Sequence, residues 1–136
     1  MLSFAERINL AEALADRGDY AAALAQLNEL KAGRLPGESA HLHLLQASVI
    51  GRSGRLNDAL SELRLAEAFA NASGRTDVAL EVDVTRASLH AALGEYDVAI
   101  PMLERAVAAL ASLPELVDLH RDAVAELESY RNLRGR

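Results

Sequence analysis

Small and apolar residues recur in the same order around three glycines, Gly18, Gly54 and Gly94. A large apolar residue follows each glycine by two positions, an alanine by five, and aliphatic residues by six and nine. An alanine also precedes each glycine by seven positions, and an aliphatic residue by ten. Spacings of three and four place side chains on one face of a helix, so the pattern predicts helices on both sides of every glycine.

Each of these blocks predicts a helical hairpin. Glycine ends a helix readily because it enters the left-handed conformation without a steric penalty. The recurring alanines are expected where two helices cross, and a leucine there would overpack the contact by about 1–3 kcal/mol. A single hairpin cannot cover its own apolar face, so we expect the hairpins to stack.

The pattern and the turn-forming residues between the blocks predict seven helices, over residues 3–17, 20–32, 38–52, 56–71, 76–93, 96–111 and 114–133. Ser3 and Glu6 are expected to form a capping box on the first helix. Ser112 is expected to cap the last helix, just before Pro114. Pro101 predicts a mild kink in the sixth helix rather than a break.

The blocks resemble the tetratricopeptide repeat, a helix pair with small residues at its crossing points. Gly18, Ala11 and Ala23 and their equivalents occupy positions where that family keeps small residues, and Tyr20 and Tyr96 occupy an aromatic position at the turn. The resemblance covers residues 4 to about 111, although the glycines are 36 and then 40 residues apart rather than the 34 of the family.

This resemblance implies an all-α fold in a single domain of residues 1–136. The expected architecture is a right-handed α-solenoid of three hairpins, over about 4–37, 38–74 and 76–111, followed by a capping helix over 114–133. In the family, the first helix of each hairpin lines a concave groove. The resemblance therefore predicts a partner-binding groove formed by Ile8, Glu12, Asp16, His41, Leu44, Ser48, Arg52, Glu81, Val84 and Ser88.

The apolar members of this set, Ile8, Leu44 and Val84, have two interpretations. As an exposed stripe, they suit an extended peptide or one face of an amphipathic helix. As core residues, they only pack between neighbouring helices. The same alternative applies, with less weight, to Glu12, Asp16 and Arg52.

Family members that bind the carboxylate tails of chaperones use basic and amide side chains in the groove. The corresponding positions here hold Ile8, Glu12, Leu45, Glu81 and Thr85, none of which is basic. The resemblance therefore predicts that this protein does not bind such tails.

Composition narrows the possible functions. The chain has no cysteine, which excludes disulfides and thiolate metal sites. The net charge of −6 is unfavourable for nucleic acids and anionic membranes, so neither is an expected partner. No targeting segment or membrane span is recognisable, and we expect a cytoplasmic protein. Thirteen arginines against one lysine are typical of GC-rich bacterial genomes.

No constellation of residues predicts catalysis, a metal or a cofactor. His41 and His43 are two positions apart and do not share a helix face, and no histidine pair has the i, i+4 spacing of a zinc helix. The segment from Gly51 to Gly54 lacks the lysine of a phosphate-binding loop. We therefore expect a non-enzymatic protein.

Two functions remain. The first is an adaptor or scaffold that binds a peptide or amphipathic helix of another protein in the groove. The second is a self-associating or regulatory segment of a larger signalling or transcription regulator, in which case a homo-oligomer is expected.

Overall fold

A computed structural model describes residues 2–135, and this part of the chain contains helices and turns but no strand. The helices are α1 (Phe4–Asp16), α2 (Tyr20–Glu29), α3 (Pro36–Arg52), α4 (Leu56–Ser73), α5 (Thr76–Ala92), α6 (Tyr96–Leu110) and α7 (Val117–Arg134). A short 3₁₀ turn (Pro114–Leu116) precedes α7. All seven predicted helices are thus present between residues 2 and 135.

The helices belong to two units, one ending at Arg75 and the other beginning at Thr76. In the first unit, α1 pairs with α2 and α3 pairs extensively with α4, while α2 also contacts α3. In the second unit, α5 pairs with α6, and α7 packs mainly on α6. The predicted sequence of three hairpins and a final helix is confirmed.

The glycines of the repeat adopt the conformation that the pattern predicts. Gly18, Gly54 and Gly94 have φ angles of +81°, +96° and +79°. A Cβ atom at these positions would meet no neighbour within 4 Å, so the backbone conformation, rather than space, favours glycine. The alanine five residues after each of them is completely buried.

The core of the first unit contains the small and aliphatic residues that recur at fixed distances from the glycines. Ala11, Ala23 and Leu27 are 1%, 0% and 0% exposed, and they form one cluster with residues of α1, α2 and α3. Phe4 packs at its edge, where the Arg34 guanidinium lies 4.9 Å from the ring centroid.

The core of the second unit is built from the equivalent positions of α5 and α6, together with the inner face of α7. Ala99 and Leu103 are buried in this cluster with Ala123 and Leu127 of α7. α7 therefore covers apolar residues of α6.

The predicted capping box at α1 is confirmed. The Ser3 hydroxyl accepts a hydrogen bond from the Glu6 amide at 3.1 Å, and the Ser3 amide donates to the Glu6 carboxylate at 3.3 Å. α6 continues without interruption through Pro101.

Four helix boundaries differ from the prediction by two or more residues. α4 ends at Ser73, two residues late, and α7 begins at Val117, because residues 114–116 form the 3₁₀ turn. α2 ends at Glu29, three residues early, because the Leu30 and Lys31 amides bond to carbonyls three positions back and tighten the last turn. α3 begins earlier than predicted, at Pro36, since proline fits the first turn and the Leu35 amide donates to the Glu38 carboxylate.

The prediction that Ser112 caps the last helix is wrong. The Ser112 hydroxyl instead donates to the carbonyl of Ala109 at 3.0 Å, which satisfies an acceptor at the end of α6. The following Leu113 precedes the 3₁₀ turn and makes no side-chain cap.

Candidate functional site

The ten residues of the predicted groove all lie on the first helix of a hairpin. α1 carries Ile8, Glu12 and Asp16; α3 carries His41, Leu44, Ser48 and Arg52; and α5 carries Glu81, Val84 and Ser88. The first seven belong to one unit and the last three to the other.

The three apolar residues of the set are buried. Ile8, Leu44 and Val84 are 6%, 3% and 8% exposed. Their side chains contribute to the hydrophobic core, which matches the second of the two interpretations given above. Very little of their surface is available to a partner, so a binding surface in this region depends on the polar residues of the set.

Four of those polar residues come together at a cavity of about 170 Å³ in the first unit. Glu12 and Asp16 of α1 form one side, and Ser48 and Arg52 of α3 form the other. The remaining lining is apolar and consists of Ala11, Ala15, Leu27, Leu45 and Val49. The cavity therefore has a hydrophobic floor and a charged rim.

Arg52 fixes the rim on the α3 side. Its Nη2 atom donates to the Ala15 carbonyl at 3.2 Å and to the Asp16 carboxylate at 3.1 Å. The carbonyl belongs to the last turn of α1, where the helix dipole favours a positive charge. Arg52 thus neutralises Asp16 and caps α1 at the same time.

Glu12 remains uncompensated on the α1 side. It is exposed, and no ion pair is seen for it among residues 2–135. It precedes Asp16 by one helical turn, and two like charges at this spacing destabilise a helix by about 0.2–0.5 kcal/mol. The rim therefore carries two carboxylates and one guanidinium, with a net negative charge.

In the second unit, Ser88 is engaged by α7. The Ser88 and Tyr130 side chains are hydrogen-bonded, and the Tyr130 ring lies 6.1 Å from that of Tyr96. Burial raises the pKa of Tyr130. Burial, and then the nearby Asp122, raise the pKa of Glu126. One oxygen of this carboxylate is buried and has no hydrogen-bond partner among residues 2–135. The Ser88 side chain is therefore already in contact with α7.

The sequence interpretation missed a polar pair between α3 and α4. The His43 Nδ1 atom is hydrogen-bonded to the Glu62 carboxylate, and both side chains are largely buried. The imidazole also stacks on Phe69, with ring centroids 5.3 Å apart and an angle of 5° between planes. The His43 ring is therefore held against α4 by its stacking on Phe69 and its hydrogen bond to Glu62.

The five apolar residues that line the cavity are not among the ten residues assigned to the groove: Ala11, Ala15, Leu27, Leu45 and Val49. Ala11 and Leu27 occupy positions that recur in the repeat, so the pattern identifies them as core residues but does not indicate that a cavity reaches them.

Among residues 2–135, no group of three or more His, Asp or Glu side chains is placed to hold a metal ion. No helix in that range has the length and apolar character needed to cross a membrane.

The fold defined by these observations is an all-α array of helical hairpins. No protein-family model matches the chain, and no curated protein is similar to it in sequence. Among solved structures, the chain is similar to the type III secretion translocator chaperone SycD of Yersinia enterocolitica, with a TM-score of 0.72. The similarity covers 100% of this chain and 90% of that one, at 16% sequence identity.

This similarity supports the all-helical fold class of the chain. It leaves the family assignment as a prediction, since conserved geometry at this identity does not require common motifs.

Proposed function

We propose that this chain is a tetratricopeptide-repeat protein that works as an adaptor or scaffold, binding a segment of another protein at the first helices of its hairpins rather than catalysing a reaction. The observation that carries the proposal is the cavity between α1 and α3. It brings together four residues that the resemblance to the tetratricopeptide repeat assigns to a partner-binding groove: Glu12, Asp16, Ser48 and Arg52.

The size and lining of the cavity support a protein ligand rather than a cofactor. Its volume of about 170 Å³ is below the roughly 300–1,000 Å³ of ordinary small-molecule sites. A volume of this size suits one or two side chains of a longer segment. The similar structure SycD is a chaperone, and chaperones act by binding other proteins.

The test uses two arginine substitutions of equal charge. Ser48→Arg fills the cavity, because Ser48 is half-buried in its lining. Asn57→Arg is the control, because Asn57 is exposed on α4 and lines none of the cavity. Both variants are checked by circular dichroism before use.

Proteins captured from a lysate of the source cells by each variant are then compared by quantitative mass spectrometry, and candidates are purified for direct binding. A partner that binds the wild-type chain and Asn57→Arg, but binds Ser48→Arg at least tenfold more weakly, supports the adaptor. Equal binding by all three chains contradicts a site at this cavity. Capture of the chain's own copies alone favours self-association.

A further inference from the structure

We infer that the cavity between α1 and α3 is a subsite for a lysine or arginine side chain of the partner. This inference rests on the proposed function and specifies the chemistry of the segment that binds. The geometry points to a long side chain with an apolar stem and a positive end.

The apolar lining of the cavity favours a ligand side chain with a long apolar stem. Leu45 is half-buried and supplies accessible apolar surface below the rim, while Ala11, Ala15, Leu27 and Val49, each less than 5% exposed, form the packed apolar wall behind it. Lysine and arginine bury their methylene groups along apolar surface while their charged ends stay at the solvent boundary. A short polar side chain would leave this floor uncovered.

The charged residues at the rim of the cavity favour a positive charge at the end of the ligand side chain. Arg52 already bonds to Asp16 and to the end of α1, whereas no cationic side chain among residues 2–135 pairs with Glu12. The end of α1 contributes further negative potential, since the carbonyl groups of the last turn point from it. Arg17, the residue that caps α1, is not part of the cavity lining. A cation placed between Glu12 and Asp16 would relieve their mutual repulsion.

The charge of the whole protein acts in the same direction. A net charge of −6 attracts basic segments over long distances and disfavours acidic ones. A ligand carboxylate would meet Glu12 at the rim, and the one guanidinium there is already hydrogen-bonded to Asp16. An uncharged leucine or methionine would fill the floor but leave Glu12 uncompensated.

The probe is a phage library of random dodecapeptides, selected on the immobilised full chain and eluted in competition with the soluble chain. Peptides that bind the wild type and Asn57→Arg, but not Ser48→Arg, are synthesised. We expect a lysine or arginine to recur at one position of these peptides. Replacing it with norleucine, which keeps the stem and removes the charge, should weaken binding about tenfold.

A pair of isosteric variants then assigns the charge to its partner. Glu12→Gln should weaken the lysine or arginine peptide about fivefold or more and leave the norleucine peptide unchanged. Glu128→Gln is the control, since Glu128 is an exposed carboxylate of α7 outside the cavity; it should affect neither peptide. This coupling isolates the Glu12 contact from general loss of negative charge.

The outcomes separate the two proposals. Peptides that need the cavity but share no cationic position, or bind Glu12→Gln as well as the wild type, overturn the cationic subsite and leave the adaptor intact. Peptides that bind Ser48→Arg as well as the wild type overturn both. Failure to enrich any peptide also contradicts both proposals for linear segments.

Discussion

Removing the Arg52 guanidinium should destabilise the first unit mainly through the end of α1 rather than through the ion pair. Arg52→Met keeps much of the side chain's length and apolar stem but loses both hydrogen bonds. The bond to the Ala15 carbonyl, together with the favourable position of the cation at the end of α1, is worth about 1–1.5 kcal/mol.

The ion pair should contribute little. The Arg52 and Asp16 side chains are 43% and 71% exposed, and exposed pairs of this kind contribute a few tenths of a kcal/mol. Asp16→Asn should therefore have almost no effect on stability, since it also removes an acid from the unfavourable end of α1. Arg52→Met should lower the melting temperature by about 3–5 °C.

Urea denaturation of the wild type, both single variants and the double variant provides the measurement, because the double-mutant cycle isolates the pairwise energy. We expect a coupling energy below about 0.5 kcal/mol. If Asp16→Asn costs as much as Arg52→Met, the ion pair is the main contribution and this reasoning is refuted. Arg52→Met also leaves Asp16 without its partner, so peptides with a lysine or arginine should bind this variant more tightly than the wild type.

Three further predictions concern the packing of the core and one half-buried charge. Leu27→Ala removes a fully buried side chain and should cost about 2–5 kcal/mol in urea denaturation, whereas a loss below 1 kcal/mol would contradict its burial in the core. Ala59→Leu should cost about 1–3 kcal/mol by overpacking, and Ala25→Leu on the exposed face of α2 should be nearly neutral; equal effects would contradict a tight contact at Ala59. Because the pKa of Glu126 is raised above its usual value of 4.5, its ionisation disfavours the folded state at neutral pH, and this cost disappears as the pH falls through the raised pKa. Glu126→Gln should therefore stabilise the protein at neutral pH, by less than about 1 kcal/mol for this half-exposed group, and flatten that part of the pH profile of the urea midpoint; an unchanged profile would contradict the assignment.

The hairpins were predictable because their signals are local. Glycine at a positive φ angle, alanine at a helix crossing and leucine at helical spacing depend on the few residues around each of them, and these positions behave as the repeat pattern indicates. Helix ends were less predictable where side chains had a choice of partner. Ser112 was expected to accept a hydrogen bond from a free amide at the start of the following helix, but its hydroxyl donates to a carbonyl at the end of the preceding one. A hydroxyl can do either, because helix starts leave amides unpaired and helix ends leave carbonyls unpaired.

In the candidate site, too, some features were predictable from local sequence and others were not. The repeat pattern placed Glu12, Asp16, Ser48 and Arg52 on the first helices of two hairpins, because helical periodicity assigns each residue to a face. It did not decide that these four would surround one cavity, nor that Ile8 would be buried. Burial and cavities depend on how side chains of different helices fill the space between them, which no single helix determines.

The sequence alone therefore determined the secondary structure, the hairpin repeat, the absence of cysteine chemistry and the negative charge. The tertiary structure decided which groove residues are exposed, which carboxylate Arg52 neutralises and which one remains free for a ligand. The reason is physical: propensities and periodicities act over one or two helical turns, whereas the Arg52 contacts join residues 36 and 37 positions apart and exist only after α1 and α3 have packed together.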